Sequence, residues 1–430
     1  MAQDYDILLF GVTGFTGKLA LEHLLEKNYP NLRFGCCARN ESKAQQVITA
    51  VVARLAARLG KHEAEIRALA PSKIEIADLV CKTDADEAAL RAVVAKAKCC
   101  ITSAGPFEKY GTTLVKLCAE LGVHYADITG ESDFFRMMIE RHDETARKSG
   151  AVIVPHCGND CIPWDLSVLE MSKYAASKGC ELTSASTYTE VPPGTAMSGG
   201  TLTTAIYQLG KARAKSAATF DPLLRGADGT KSAFAQKNVS PKQDVYCAEF
   251  GRNGGPWIMA PVMANCVRRS NALLGYHATF HYGDCLLRDP RWSQWVKDKC
   301  YGGLVAAAIY APGLFQRFLP QPGEGPTRET MDAGWLVVHT RGTMRDKASG
   351  AETALASTFT FNEDVTYLST ARFLVEAGRM LIEKPARGGG AAGVVTPAVA
   401  LGSPMIERLA TQTGSKFELS EAAVKTVSKM

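Results

Sequence analysis

The chain has 430 residues, 49 Lys+Arg against 44 Asp+Glu, 46% hydrophobic residues and 22% charged ones. That length calls for more than one core, and the hydrophobic fraction excludes wholesale disorder. A net charge of +5 is too slight for a dedicated nucleic-acid binder, so no nucleic-acid partner is expected; the first 150 residues are charge-balanced, which leaves the surplus downstream. The thirteen cysteines contain no C-x-x-C spacing, which fits reduced, buried thiols and argues against a disulfide framework or a structural zinc site.

In chain order, the first 155 residues alternate strand and helix. Strands are expected at Tyr5–Phe10, Leu32–Ala38, Lys73–Ala77, Cys99–Ser103, His124–Ile128 and Ala151–Pro155. Helical patterns fall at Lys18–Lys27, Glu41–Leu59, Asp86–Lys98, Thr112–Leu121 and Ser132–Lys148. This alternation predicts a doubly wound parallel sheet. After Pro163 strand-like runs appear at Leu182–Glu190, Tyr276–Tyr282, Gly334–Met344 and Ala354–Phe361, separated by Gly/Pro-rich stretches. They suggest a second domain with a largely antiparallel sheet, followed by a helix over Asp364–Glu383 and a glycine loop at Gly388–Gly393.

Gly302–Phe315 is uncharged but too short to span a bilayer. With Trp292, Trp295, Tyr301, Tyr310 and Phe318 nearby, residues 302–319 read either as a core helix broken at Pro312 or as an interfacial segment touching a membrane or lipid droplet. Ser428-Lys429-Met430 resembles the peroxisomal address Ser-Lys-Leu, so peroxisomal or glycosomal import is weighed against a cytoplasmic or lipid-droplet location.

The chemistry begins at Gly11-Val12-Thr13-Gly14-Phe15-Thr16-Gly17, between the first strand and the first helix. Glycines there permit a tight turn and close backbone approach to a diphosphate, and the helix start offers free N–H groups. An NAD site would place an acid at the end of the second strand, but Arg39 stands there with Lys43 one turn on. A guanidinium matches a 2′-phosphate, so NADP(H) is expected over NAD(H), with Glu41 as a substitute acid in the opposite case. Ser103-Ala104-Gly105-Pro106-Phe107 ends the fourth strand, at the sheet edge where doubly wound folds bind ligands.

GVTGFTG, CARNESK, TSAGPFEKYG, YADITGESDF, CGNDCIPWDL, the SGGT of Ser198–Thr201, GPTRETMDAGW and AGVVTPAVALG occur in that order along nearly the whole chain. Together they resemble the saccharopine dehydrogenase-like oxidoreductases, a family that includes trans-acting enoyl reductases of lipid biosynthesis. The resemblance implies a Rossmann-type sheet formed by 1–165 plus 364–430, with an inserted α+β substrate and dimerisation domain over 166–363. A homodimer is implied as well. Gly11, Thr13, Gly14, Phe15, Thr16, Gly17 and Arg39 would then bind the dinucleotide, Asp78 would approach the adenine, and Ser103, Gly105 and Pro106 the nicotinamide side. One departure is visible: Asn159 and Cys161 replace the Phe and Ser usual in the family block, while Asp160 and Asp165 are kept.

Hydride transfer to a polarised double bond needs a proton donor. The candidates are Tyr110, His156, Asp160 and Tyr188, with structural roles open for His156 and Asp160. His277 and His281 share a face without a third ligand, so no metal is expected. The sequence thus points to an NADP(H)-dependent oxidoreductase reducing an unsaturated lipid-like or acyl substrate. A membrane-surface or lipid-droplet protein with a nucleotide module is one alternative. The other is an amino-acid-linked dehydrogenase, for which Arg213, Arg268 and Arg269 would have to converge on substrate carboxylates.

Overall fold

The computed structural model describes residues 3–192, 197–210, 219–288, 320–321, 323–383 and 392–422, with 296, 300, 303 and 307 as single positions. Most of 302–319 and of the 388–393 loop, Arg213, and Ser428-Lys429-Met430 lie outside the described residues. No helix among those described is long and apolar enough to cross a membrane.

The first sheet is built from β1 (Tyr5–Phe10), β2 (Phe34–Ala38), β3 (Ile74–Ile76), β4 (Ala97–Thr102), β5 (His124–Asp127), β6 (Val152–Val154) and a short β14 (Gly393–Val394). Its order is β14-β6-β5-β4-β1-β2-β3, with every pairing parallel. Between the strands run α1 (Phe15–Lys27), α2 (Glu41–Leu59), α3 (Glu63–Leu69), α4 (Asp84–Val94), α5 (Phe107–Tyr110), α6 (Thr112–Leu121) and α7 (Ser132–Ser149). Ile7, Leu8 and Leu9 of β1 are fully buried, so successive residues, which face opposite sides of the sheet, both meet apolar cover. The helix limits follow local chemistry. Asn40 caps α2 by accepting the Lys43 N–H, Gly60 ends it in the left-handed region, and Thr83 and Asp86 close a capping box on α4.

The second sheet holds β7 (Cys180–Glu190), β8 (Ala235–Asn238), β9 (Val245–Cys247), β10 (Arg252–Gly255), β11 (Thr279–Leu287), β12 (Leu336–Asp346), β13 (Glu352–Phe361) and β15 (Lys416–Ala422). Its main path is β15-β13-β12-β7-β11-β10-β9; β7–β11 and β8–β11 are parallel and the other pairs antiparallel. The helices here are α8 (Ile162–Ser177), α9 (Gly199–Gly210), α10 (Ala260–Leu274), α11 (Arg328–Asp332), α12 (Thr370–Glu383), α13 (Pro397–Ala400) and α14 (Ser403–Thr413).

Three expectations are corrected. The strand anticipated at Tyr276 begins at Thr279, because the Asn271 carboxamide satisfies both the N–H and the carbonyl of His277 and removes that residue from sheet pairing. The helix anticipated from Asp364 opens as a wider turn over Val365–Ser369, capped by the Asp364 carboxylate on three backbone N–H groups. The tail after 364 does not belong wholly to the first sheet. β14 and α12 join it, but β15 pairs with β13 across seven register positions.

That return is fastened at Glu376 of α12, whose side chain is fully buried. Its carboxylate accepts from His23 of α1 at 3.0 Å, from the Tyr29 hydroxyl, and from Arg379 at 2.8 Å and Arg408 at 3.3 Å. Burial alone would raise its pKa, but the His23 and Tyr29 hydrogen bonds and the Arg379 charge outweigh that and hold it below the usual value. A carboxylate depressed in the fold contributes stability that is present above its unfolded pKa and lost as pH falls through the folded one. Glu376→Ala removes the buried acceptor shared by His23, Tyr29 and the two arginines, leaving Arg379 and Arg408 only Glu383, and is expected to cost about 3–5 kcal/mol. Urea melts should show this loss at pH 7 and a smaller one below pH about 4, where the glutamate is being protonated.

Candidate dinucleotide and active site

The sheet order reverses between β1 and β4, and the loops leaving their carboxyl ends lie against each other there. Gly11 has φ +83°, and a Cβ built on it would sit 3.0 Å from both the Ala104 nitrogen and the Ser103 hydroxyl. A Cβ on Gly17 would lie 2.0 Å from the Gly11 carbonyl oxygen, so any side chain there would force α1 off the strand. Gly14 is the N-cap of α1, bonds back to the Gly11 carbonyl at 2.9 Å and supplies no capping side chain; no acid sits in the first turn. The N–H groups of Phe15, Thr16 and Gly17 therefore face the edge of the sheet beside the positive end of a thirteen-residue helix. This cradle fits a diphosphate.

Other expected contacts take definite places. The Phe15 ring turns away from the loop to meet Tyr367 edge-on at 5.2 Å and packs on Gly325. The Thr13 carbonyl lies next to Gly323, whose own carbonyl accepts from Lys18 Nζ at 3.0 Å. Asp78 follows β3 at the same edge and accepts the Val80 N–H through Oδ1. Ser103 to Pro106 form the turn after β4, with Gly105 N–H bonded to the Ser103 carbonyl and Pro106 starting α5.

Arg39 and Lys43 are exposed at the end of β2 and the start of α2, and neither side chain has an ion-pair partner among the described residues. Lys18 approaches from α1. Burial, together with the charges of Arg54 and Lys43, lowers its pKa, which marks a corner of converging cations.

The proton-donor candidates separate clearly. His156 is buried with φ +67°, its Nδ1 lies 2.5 Å from the Thr129 carbonyl, and its ring stands edge-on to Phe135. A carbonyl only accepts, so Nδ1 carries the hydrogen; burial pushes the pKa down to about 4. A neutral imidazole whose one N–H is already given has no proton to donate at pH 7, and His156 fits a structural role. Tyr188 is buried against Phe250, and desolvation pushes its hydroxyl far up. Tyr110 ends α5 half-buried, with no hydrogen bond to His156 or Asp160. Asp160 sits beside Gly130 with no hydrogen-bond partner among the described residues, and burial pushes its carboxyl up to about 6.

Comparison with known proteins accords with this geometry. The family described as saccharopine dehydrogenase NADP binding domain matches residues 7–154. The trans-acting enoyl reductase of Mycobacterium tuberculosis is 30% identical over 426 residues, covering 95% of this chain and 96% of that protein. Its Mycobacterium leprae counterpart is 29% identical over 434 residues with the same coverage. The chain belongs to the saccharopine dehydrogenase-like oxidoreductases. It is a reductase that uses a nicotinamide dinucleotide. Saccharopine dehydrogenase (L-Glu forming) from Saccharomyces cerevisiae shares the fold, with a TM-score of 0.55 at 14% identity over 97% of this chain and all of that one.

Sequence reasoning missed two residues at this candidate site. Glu131 was given no role, standing just before the helix expected from Ser132, yet its buried carboxylate accepts the N–H of Phe107 at 2.6 Å and of Glu108 at 3.0 Å, gripping the turn after Pro106. Its place in YADITGESDF, right after the fifth strand, was the available signal. Lys18 was passed over because one lysine in a helix carries no pattern. Among the described residues no group of three or more His, Cys, Asp or Glu is placed to hold a metal. Gly17→Ala should weaken dinucleotide binding by about 1–3 kcal/mol through the clash with Gly11. Titration of the bound reduced nicotinamide's fluorescence measures this, and unchanged affinity would place the dinucleotide elsewhere.

Proposed function

We propose that this reductase takes NADP(H) and reduces a carbon–carbon double bond conjugated to a carbonyl in a lipid-like acyl substrate. The observation that carries the cofactor choice is the pair of exposed cations Arg39 and Lys43, with no ion-pair partner among the described residues, beside the glycine cradle. An NAD site would need an acid there to accept from the ribose hydroxyls; Glu41, the nearest acid, begins α2 in solvent. A 2′-phosphate would satisfy both cations and draw on Lys18 behind them.

When bound, the cofactor supplies a hydride. The α1 N-terminus and the Ser103–Pro106 turn would hold it, and Asp160 would hold a proton for the carbon that does not receive the hydride. Reduction of the double bond in the relatives' name supports the reaction class. Against the amino-acid reading, two of its three arginines are engaged elsewhere: Arg268 pairs with Asp221 at 2.9 Å, and buried Arg269 is held by Asp143 and by the carbonyls of Arg225 and Val394.

Arg39→Glu should weaken NADPH binding about tenfold or more while leaving NADH within about twofold, as expected for loss of a charge-assisted contact. A thermal-shift titration with both cofactors checks it, and equal effects on the two would sink the 2′-phosphate assignment. With Asp160 as the acid, turnover falls as pH rises through about 6 and the donor loses its proton. Asp160→Asn should remove that limb and lower turnover roughly 10²–10⁴-fold. A variant keeping both rate and pH profile would move the donor role elsewhere.

A further inference from the structure

The helix α9, residues Gly199–Gly210, meets the turn after β4 directly and the glycine loop through Tyr367. At its start the Ser198 N–H donates to the Tyr367 hydroxyl at 2.6 Å, and that hydroxyl donates to Thr201 at 3.1 Å. Tyr367 is the residue against which Phe15 of the glycine loop packs. Two turns on, the Thr204 hydroxyl lies 3.2 Å from the point a Gly105 Cβ would occupy, so the absent side chain lets the helix settle on the turn after β4. One turn further, on the same face, Gln208 Nε2 donates to Glu131 Oε2 at 2.7 Å.

Glu131 is therefore shared. The same carboxylate grips Phe107 and Glu108 from below and Gln208 from above. It is 2% exposed, so each of these hydrogen bonds is made away from competing water. This side chain joins the loop after β5, the turn after β4 and a helix of the second domain, 77 residues away in sequence from its Gln208 partner.

We propose that Glu131 and Gln208 form a latch that seats α9 over the nicotinamide half of the site and fixes the Ser103–Pro106 turn in its working position. Both are positioning residues; neither is asked to exchange a proton. The assignment rests on the dinucleotide site proposed above. The latch acts on the nicotinamide end alone, since the cations at Arg39 and Lys43 stand at the opposite end of the cradle, beyond β1.

The test compares two ligands on the full-length protein. Adenosine 2′,5′-bisphosphate probes the cation corner and has no nicotinamide. NADPH reports nicotinamide immobilisation through its enhanced emission. Gln208→Leu should leave the bisphosphate dissociation constant within about twofold, weaken NADPH about tenfold and abolish most of the emission enhancement, the scale of one hydrogen bond to a buried carboxylate. Gln208→Lys, which keeps a donor for Glu131, should restore the enhancement. An unchanged NADPH signal in Gln208→Leu would overturn the latch, as would parallel weakening of both ligands, which marks general loss of structure. If the unsubstituted protein bound neither ligand, the dinucleotide reading itself would fall and the latch with it.

Discussion

The site is referenced to one backbone contact, Gly17 pressed against the Gly11 carbonyl where a methyl group would lie 2.0 Å from the oxygen. It sets how far α1 stands from β1, and so where the free N–H groups of the helix start are aimed. The same closeness puts Gly11 under the Ser103 and Ala104 turn, joining the two loops of the topological switch into one surface. On the far side of α1, α12 presses Gly378 toward Ile101 of β4 and sends Glu376 to His23. The first helix is thus trapped between its own strand and an element more than 350 residues later.

Buried carboxylates act as fasteners around that surface. Asp127 accepts from Tyr125, Thr129 and His156, which shapes the loop carrying Glu131. Asp165 accepts from Ser270 and from the Ala398 N–H, tying α8 to α10 and α13. Asp364 caps the wide turn that presents Tyr367 to Phe15. Each is held by donors that fix its geometry. Asp160 is the contrast, half-buried at the carboxyl edge with no such donors among the described residues. A carboxyl in that setting keeps its proton longer and has room to give it away. Asp284, also pushed up by burial, to about 7, differs because Thr187 and Tyr282 occupy its Oδ1 deep under the second sheet.

Much of this was legible from local pattern. β1, α2 and α6 fall on the residues the periodicity indicates, since each has its own cap or turn signal. The glycine loop and Arg39 were readable because their chemistry depends on spacing within thirty residues. Glu131 was not, since its meaning lies in Phe107, Glu108 and Gln208, three donors on two other segments. The histidine before the CGND block looked suited to proton transfer by residue type alone. Only burial and the Thr129 carbonyl showed that its one N–H is already committed.

The sequence by itself determined the alternation of strands and helices, the glycine cradle, the cationic end of β2 and the family. All of these are written in contiguous residues whose backbone preferences and charges act locally. Tertiary structure decided what depends on distance through space. It split the C-terminal tail between two sheets, committed Arg268 and Arg269 to Asp221 and Asp143, separated Asp160 from His156 as an acid, and laid α9 on the turn after β4. The physical reason is that desolvation and hydrogen-bond partnership are properties of a place in the fold. A residue's type says what it can do, and its neighbours decide whether it is free to do it.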